Sequence, residues 1–164
     1  RLHAYDEKLA ETLIRLREEY DVPPEYVPLE LTESAFLEDE AGMYRRMESL
    51  RERGFLVSMD DFGTGYSTMN MLKNQTLDEI KIDREFIRDL EKDKSRIIIR
   101  NTIVMLQQLG VHIVIEGVET EEQKSFLLGC GCTDAQGFLF HHPMPVEAFD
   151  ALLLQQECEY DRTK

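Results

Sequence analysis

Apolar residues along the chain alternate between a helical and a strand-like spacing. Tyr5, Leu9, Leu13, Leu16 and Tyr20 recur every three or four positions, the period of one helix face. Pro23 and Pro24 stop that segment, because proline has no amide hydrogen and crowds the preceding turn. Residues 27–31 read as a short strand, and residues 39–53 as a second amphipathic helix with Met43, Met47 and Leu50 on one face and Gly54 as its cap. Residues 55–59 form a second strand that closes in Asp60-Asp61. Residues 63–67 form a tight turn opening a short helix to Leu72. A third strand follows at 77–82. A longer helix then spans 95–109, carrying Ile97, Ile98, Thr102, Ile103 and Leu106 and ended by Gly110. Residues 112–115 are a fourth strand. Residues 120–128 form a helix begun by a threonine cap, with Glu121 and Glu122 in its first turn. Residues 133–139 contain a fifth short strand, and residues 144–156 a last helix with Phe149, Leu152 and Leu153 inward. The polar tail 157–164 is expected to fray.

This order is a helix followed by five strand–helix units. Regular alternation means parallel strands, in either a doubly wound sheet or a (β/α)8 barrel. No linker, composition shift or internal repeat divides the chain, so residues 1–156 read as a single domain.

Composition narrows the function. With 164 residues, 42% apolar and 32% charged, the chain can bury a core and reads as a soluble globular protein. No apolar run approaches the ~18 residues of a membrane span, and no basic stretch followed by an apolar one opens the chain as a secretory signal does. The net charge of −14 repels DNA and RNA backbones. It leaves room for a small phosphate ligand received through cations on clustered carboxylates. Cys130, Cys132 and Cys158 form no disulfide-like framework, which points to a reducing compartment. A single C-x-C is a weak zinc signal, and His141-His142 beside Pro143 reads as loop.

The strand ends carry the candidate chemistry. The first ends at Glu30, with Glu33 beyond; the second at Asp60 and Asp61; the third carries Lys81 and Asp83; the fourth delivers Glu116, then Glu119; the fifth delivers Gln136. In a barrel these ends meet on one rim. Four carboxylates around one spot repel unless cations neutralise them. Oxygen donors without His or Cys suit Mg²⁺, Mn²⁺ or Ca²⁺. Each residue also has a plain structural reading: Glu30 as a solvated strand end, Asp60-Asp61 as an Asx turn, Glu116-Gly117 as a β-turn. Lys81 is the hardest to read that way, because a lysine between Ile80 and Ile82 points into a barrel and needs partners. Adjacent strand residues face opposite ways, so Asp60 and Asp61 share a site only if Asp61 lies past the strand end.

Glu30-Leu-Thr-Glu-Ser34, Asp60-Asp-Phe-Gly-Thr-Gly-Tyr-Ser67, Lys81-Ile-Asp83, Glu116-Gly-Val-Glu119 and Gln136-Gly137 resemble, in order, the signatures of EAL domains. The resemblance implies a TIM-barrel fold and hydrolysis of cyclic di-GMP to the linear dinucleotide with two Mg²⁺ or Mn²⁺ ions. It implies Glu30 and Asp60 as ligands of one ion, and Asp60, Asp61 and Glu116 as ligands of the other. Lys81 and Glu116 would be catalytic, Lys81 positioning or activating the attacking water, and Gln136 would hold metal-bound water. The 61–67 loop, with Gly63, Gly65 and Ser67, would couple metal binding to dimerisation, braced by Glu119. A homodimer, an upstream sensor or cyclase domain and a bacterial cytoplasmic location go with the resemblance. The Glu-Ala-Leu motif and a third-strand Asn, both expected ligands, are not in this sequence. The chain is therefore expected to supply strands four to eight of an incomplete barrel and to be inactive or very weak alone. A non-catalytic module binding cyclic di-GMP or a protein partner is one alternative. A different carboxylate–lysine barrel enzyme is another, which the Asp-Asp-Phe-Gly-Thr-Gly-Tyr-Ser run argues against.

Overall fold

The computed structural model describes residues 7–32, 40–63, 72–73 and 77–162. Helix α1 is Glu7–Glu19, and a 3-10 turn at Pro24–Tyr26 leads into β1, Leu29–Thr32. Next come α2 (Glu40–Glu52), β2 (Val57–Phe62), β3 (Glu79–Ile82), α3 (Arg84–Arg88) and α4 (Asp93–Gln108). The chain continues with β4 (His112–Ile115), α5 (Glu121–Gly129), β5 (Asp134–Ala135) and α6 (Val146–Arg162). The five strands form one sheet in the order β1-β2-β3-β4-β5, every pair parallel. Parallel strands that pair in sequence order, with described helices between β1 and β2, β3 and β4, and β4 and β5, are the arrangement of a barrel wall rather than a doubly wound sheet, whose order reverses at a switch point.

The period of two along each strand separates the sheet faces. Ile80, Ile82, Ile113 and Ile115 alternate with Glu79, Lys81, His112 and Val114, and only the isoleucines are buried. They pack with Val57, Met59 and Phe62 of β2 against Met47 of α2, Ile99, Ile103 and Leu106 of α4 and Leu127 of α5. The opposite face carries Glu30, Ser58, Glu79, Lys81, His112, Asp134 and Gln136, which contact one another across strands. One face builds the core, and the other is left for chemistry.

Several boundaries differ from the expectation. The short helix α3 begins where Asp83 accepts a hydrogen bond from the Glu85 amide at 2.8 Å; five residues are too few to show a helical period. On α4 the buried stripe is Ile99, Ile103 and Leu106, while Ile97 and Ile98 are exposed, because at about 100° per residue they fall off the face those three share. Phe149 and Leu153, expected inward, are exposed on α6, which follows the edge strand β5. Helix α6 also continues through Arg162 rather than fraying after Gln156. Thr120 caps α5 as expected, in a full capping box with Gln123. Cys130 and Cys132 are buried thiols of the core. The turn and helix expected at 64–71 lie outside the described residues.

At the root of the sheet, Asp78 ties α2 to β2. Its carboxylate accepts from Arg51 Nε at 3.1 Å, Arg51 Nη2 at 2.9 Å and the Val57 amide at 2.9 Å. Asp78→Ala strands a partly buried guanidinium and an amide together, and is expected to cost about 2 kcal/mol in urea unfolding. Arg51→Ala, which leaves the Val57 bond in place, should cost less.

Candidate functional site

Four strands each bring one polar side chain to the C-terminal rim of the polar face. Lys81 Nζ, on β3, lies 2.8 Å from Glu30 Oε1 of β1 and 2.7 Å from Glu116 Oε1, just past β4. Gln136, just past β5, donates from Nε2 to the same Glu116 oxygen at 2.6 Å. Backbone bonds fix these positions beyond the strand ends: the Glu116 amide to Ile82 O at 2.9 Å and the Gln136 amide to Ile115 O at 2.8 Å. Lys81 is enclosed, with 12% of its side chain exposed, against 18% for Glu116 and 47% for Glu30. Its burial disfavours charge, but hydrogen bonds and charge from Glu116 and Glu30 outweigh that, so its pKa is raised above the ordinary lysine value. Lys81 is an ammonium holding two carboxylates.

Asp60 is half-buried on β2, paired in register with Thr32 of β1. Asp61 adopts φ 57, and the β2–β3 register slips between Met59 and Phe62. Asp61 therefore lies at an irregularity inside β2, which runs on to Phe62, and not past the strand end as a shared site with Asp60 was expected to require. Gly63 lies against the ring of Phe86 on α3. Gly65 and Ser67 lie outside the described residues. Glu119 is exposed, its amide donating to Gln123 Oε1 at 2.7 Å.

Glu30, Asp60, Asp61 and Glu116 are hard oxygen donors of the class that suits Mg²⁺, Mn²⁺ or Ca²⁺. Among the described residues, however, no three His, Cys, Asp or Glu side chains gather closely enough to hold a metal ion. The donor chemistry fits a hard cation, while the convergence seen is of Glu30 and Glu116 on Lys81.

Beside Glu116 and Gln136 opens a cleft of about 650 Å³, lined further by Asp83, Arg84, Glu119, Phe138, His141, His142 and Phe149. Phe138 and His142 stack with ring centroids 4.2 Å apart. Arg84 and Phe138 were not singled out by the sequence, and His142 was read only as loop. The available signal was their position one to six residues after Asp83 and Gln136, at strand ends already marked as functional.

These parallel strands gather a lysine, carboxylates and an amide toward the rim where α/β barrels carry their active sites. The chain belongs to the EAL domain family, whose pattern it matches over residues 2–143. It is 37% identical over 142 residues to the cyclic di-GMP phosphodiesterase RocR of Pseudomonas aeruginosa, covering 86% of this chain and 36% of RocR. MucR of the same organism, a bifunctional diguanylate cyclase/cyclic di-GMP phosphodiesterase, is 43% identical over 129 residues, 78% of this chain and 19% of MucR. The PaMucR phosphodiesterase in complex with c-di-GMP superposes with a TM-score of 0.83 at 37% identity, over 90% of this chain and 60% of that one. The manganese/cyclic di-GMP complex of Klebsiella pneumoniae BlrP1 superposes with a TM-score of 0.79 at 30% identity, over 85% of this chain and 36% of that one. The chain thus spans about a third of RocR and a fifth of MucR. No helix among the described residues is long and apolar enough to cross a membrane.

Proposed function

We propose that this chain carries the Lys81–Glu116 side of a cyclic di-GMP phosphodiesterase centre, which hydrolyses the cyclic dinucleotide to its linear form. The observation that supports this most is the enclosed Lys81 between Glu30 and Glu116, with Gln136 on the same Glu116 oxygen. Lys81, as an ammonium, donates to oxygen and so orients the attacking water or a phosphate oxygen rather than taking a proton. Glu116 offers a carboxylate acceptor at the same point, and Gln136 fixes which of its oxygens faces inward. Glu30, Asp60, Asp61 and Glu116 would hold Mg²⁺ or Mn²⁺, which supplies charge stabilisation and a more acidic bound water. BlrP1 with manganese and cyclic di-GMP supports that choice of cation. A second copy of the chain and an upstream sensor or cyclase domain, such as the one MucR's description implies, complete the proposed partners.

The test is hydrolysis of cyclic di-GMP with Mn²⁺, by the 164-residue chain and by the chain in its natural sequence context. Turnover abolished by Glu116→Ala supports the reading. A second reading, binding without turnover, is favoured by the absence of a three-carboxylate group among the described residues. Tight binding with the dinucleotide left intact in both forms establishes that reading instead.

A further inference from the structure

Below the site residues, the polar face carries a second layer that the proposed chemistry does not use. Ser58 Oγ donates to Glu79 Oε1 at 2.8 Å, and Glu79 Oε2 lies 3.0 Å from His112 Nδ1. His112 Nε2 lies 3.4 Å from Asp134 Oδ2, which also accepts from Thr133 Oγ1 at 2.8 Å. The contacts cross β2, β3, β4 and β5 in order. Ser58, Glu79 and Asp134 stand two residues before Asp60, Lys81 and Gln136, and His112 stands four before Glu116.

The two ring nitrogens of His112 face carboxylates from two different strands. A neutral imidazole has one N–H and one lone pair, so it can satisfy only one of them. Its bare nitrogen would then face an anionic oxygen with no hydrogen between. An imidazolium donates to both. Glu79 from β3 and Asp134 from β5 are the charged groups in contact with the ring. Ser58 and Thr133 add uncharged hydroxyls, and Lys81, Glu116 and Asp60 belong to the layer above. The His112 side chain is 53% exposed, so water reaches it and protons exchange freely.

We propose that Glu79–His112–Asp134 is a proton-operated strap. It is closed across three strands while His112 is an imidazolium and released on one side when the ring loses a proton. The strap ties the roots of the strands whose far ends present Lys81, Glu116 and Gln136, and it stands whether or not that site turns over a dinucleotide.

The direction of titration agrees with the geometry. Partial burial works against the charge, but hydrogen bonds to Glu79 and Asp134 outweigh it and raise the His112 pKa above the ordinary value. A raised folded-state pKa means the stabilisation is fully present below the unfolded value of about 6.5 and is lost as pH rises through the folded value.

The test follows the imidazole nitrogens of the whole chain by long-range ¹H–¹⁵N spectroscopy, folded and in urea, with melting curves alongside. His112 should keep both N–H groups to a higher pH when folded than when unfolded. His112→Gln should lower the melting temperature by roughly 2–4 °C near pH 6 and by much less near pH 9. Equal titration in the folded and unfolded states, or an equal loss at both pH values, overturns the strap. Should His112→Gln not fold, Asp134→Asn removes one carboxylate from an exposed edge position. It should lower the His112 midpoint, and an unchanged midpoint is equally fatal.

Discussion

Lys81→Met lowers cyclic di-GMP turnover by about 10²–10⁴-fold if the proposed centre is right, the range in which a positioned donor or proton-transfer group acts. Methionine keeps an unbranched apolar stem, one atom shorter than lysine, and removes the charged amine with its hydrogen atoms. The loss then falls on kcat, because Lys81 meets the reacting oxygens and the stem packing is kept. The variant has a second signature. Without the ammonium, Glu30 and Glu116 face each other unneutralised, since both reach Lys81 Nζ within 2.8 Å. Added Mn²⁺ should therefore raise the melting temperature of Lys81→Met by more than that of the unaltered chain, by mass action on the now unpaired carboxylates. Turnover within twofold of the original would remove Lys81 from the mechanism. An unchanged Mn²⁺ response would show that Lys81 does not compete with cations for Glu30 and Glu116.

What could be read from the sequence divides along physical lines. Strand cores were legible where apolar residues run together or alternate cleanly, as at Ile80 and Ile82 or Ile113 and Ile115, since burial on one face sets the period. That the strands run parallel followed from strand–helix alternation, while the barrel order came with the EAL resemblance. The candidate residues Lys81, Glu116 and Gln136 were legible because each stands at or just past a strand's C-terminal end, while Glu30, expected at the end of β1, is its second residue and reaches Lys81 from there. The left-handed turn at Asp61 was not, because a bulge depends on pairing with the neighbouring strand and not on local composition. Nor was the exposure of Ile97 and Ile98, since three successive isoleucines at 97–99 do not themselves say which one faces the sheet. The Glu79–His112–Asp134 contacts were hidden for a further reason: the three residues are polar, scattered over 55 positions and brought together only by strand pairing, Glu79 opposite His112 and Asp134 opposite Val114, two residues on.

Gly137→Ala is the substitution expected to cost the fold most, about 3 kcal/mol or more. A β-carbon at Gly137 lands on the backbone nitrogen and oxygen of Val118. Those atoms cannot yield, because the Val118 amide donates to Gln136 O at 3.0 Å while its carbonyl accepts from the Leu139 amide at 3.0 Å. The Val118 side chain is itself fully buried. Relief must come from moving residues 136–139 away from residue 118, which draws Gln136 Nε2 off Glu116. Gly110→Ala is the control. Its φ is also positive, 74 against 156 at Gly137, but it has open space where its β-carbon would stand, so it should cost only the ~1–2 kcal/mol of backbone strain. Urea midpoints of the two variants measure the difference. A Gly137→Ala cost no larger than that of Gly110→Ala would mean that the 136–139 segment moves freely, and that Gln136 is not held where the site needs it.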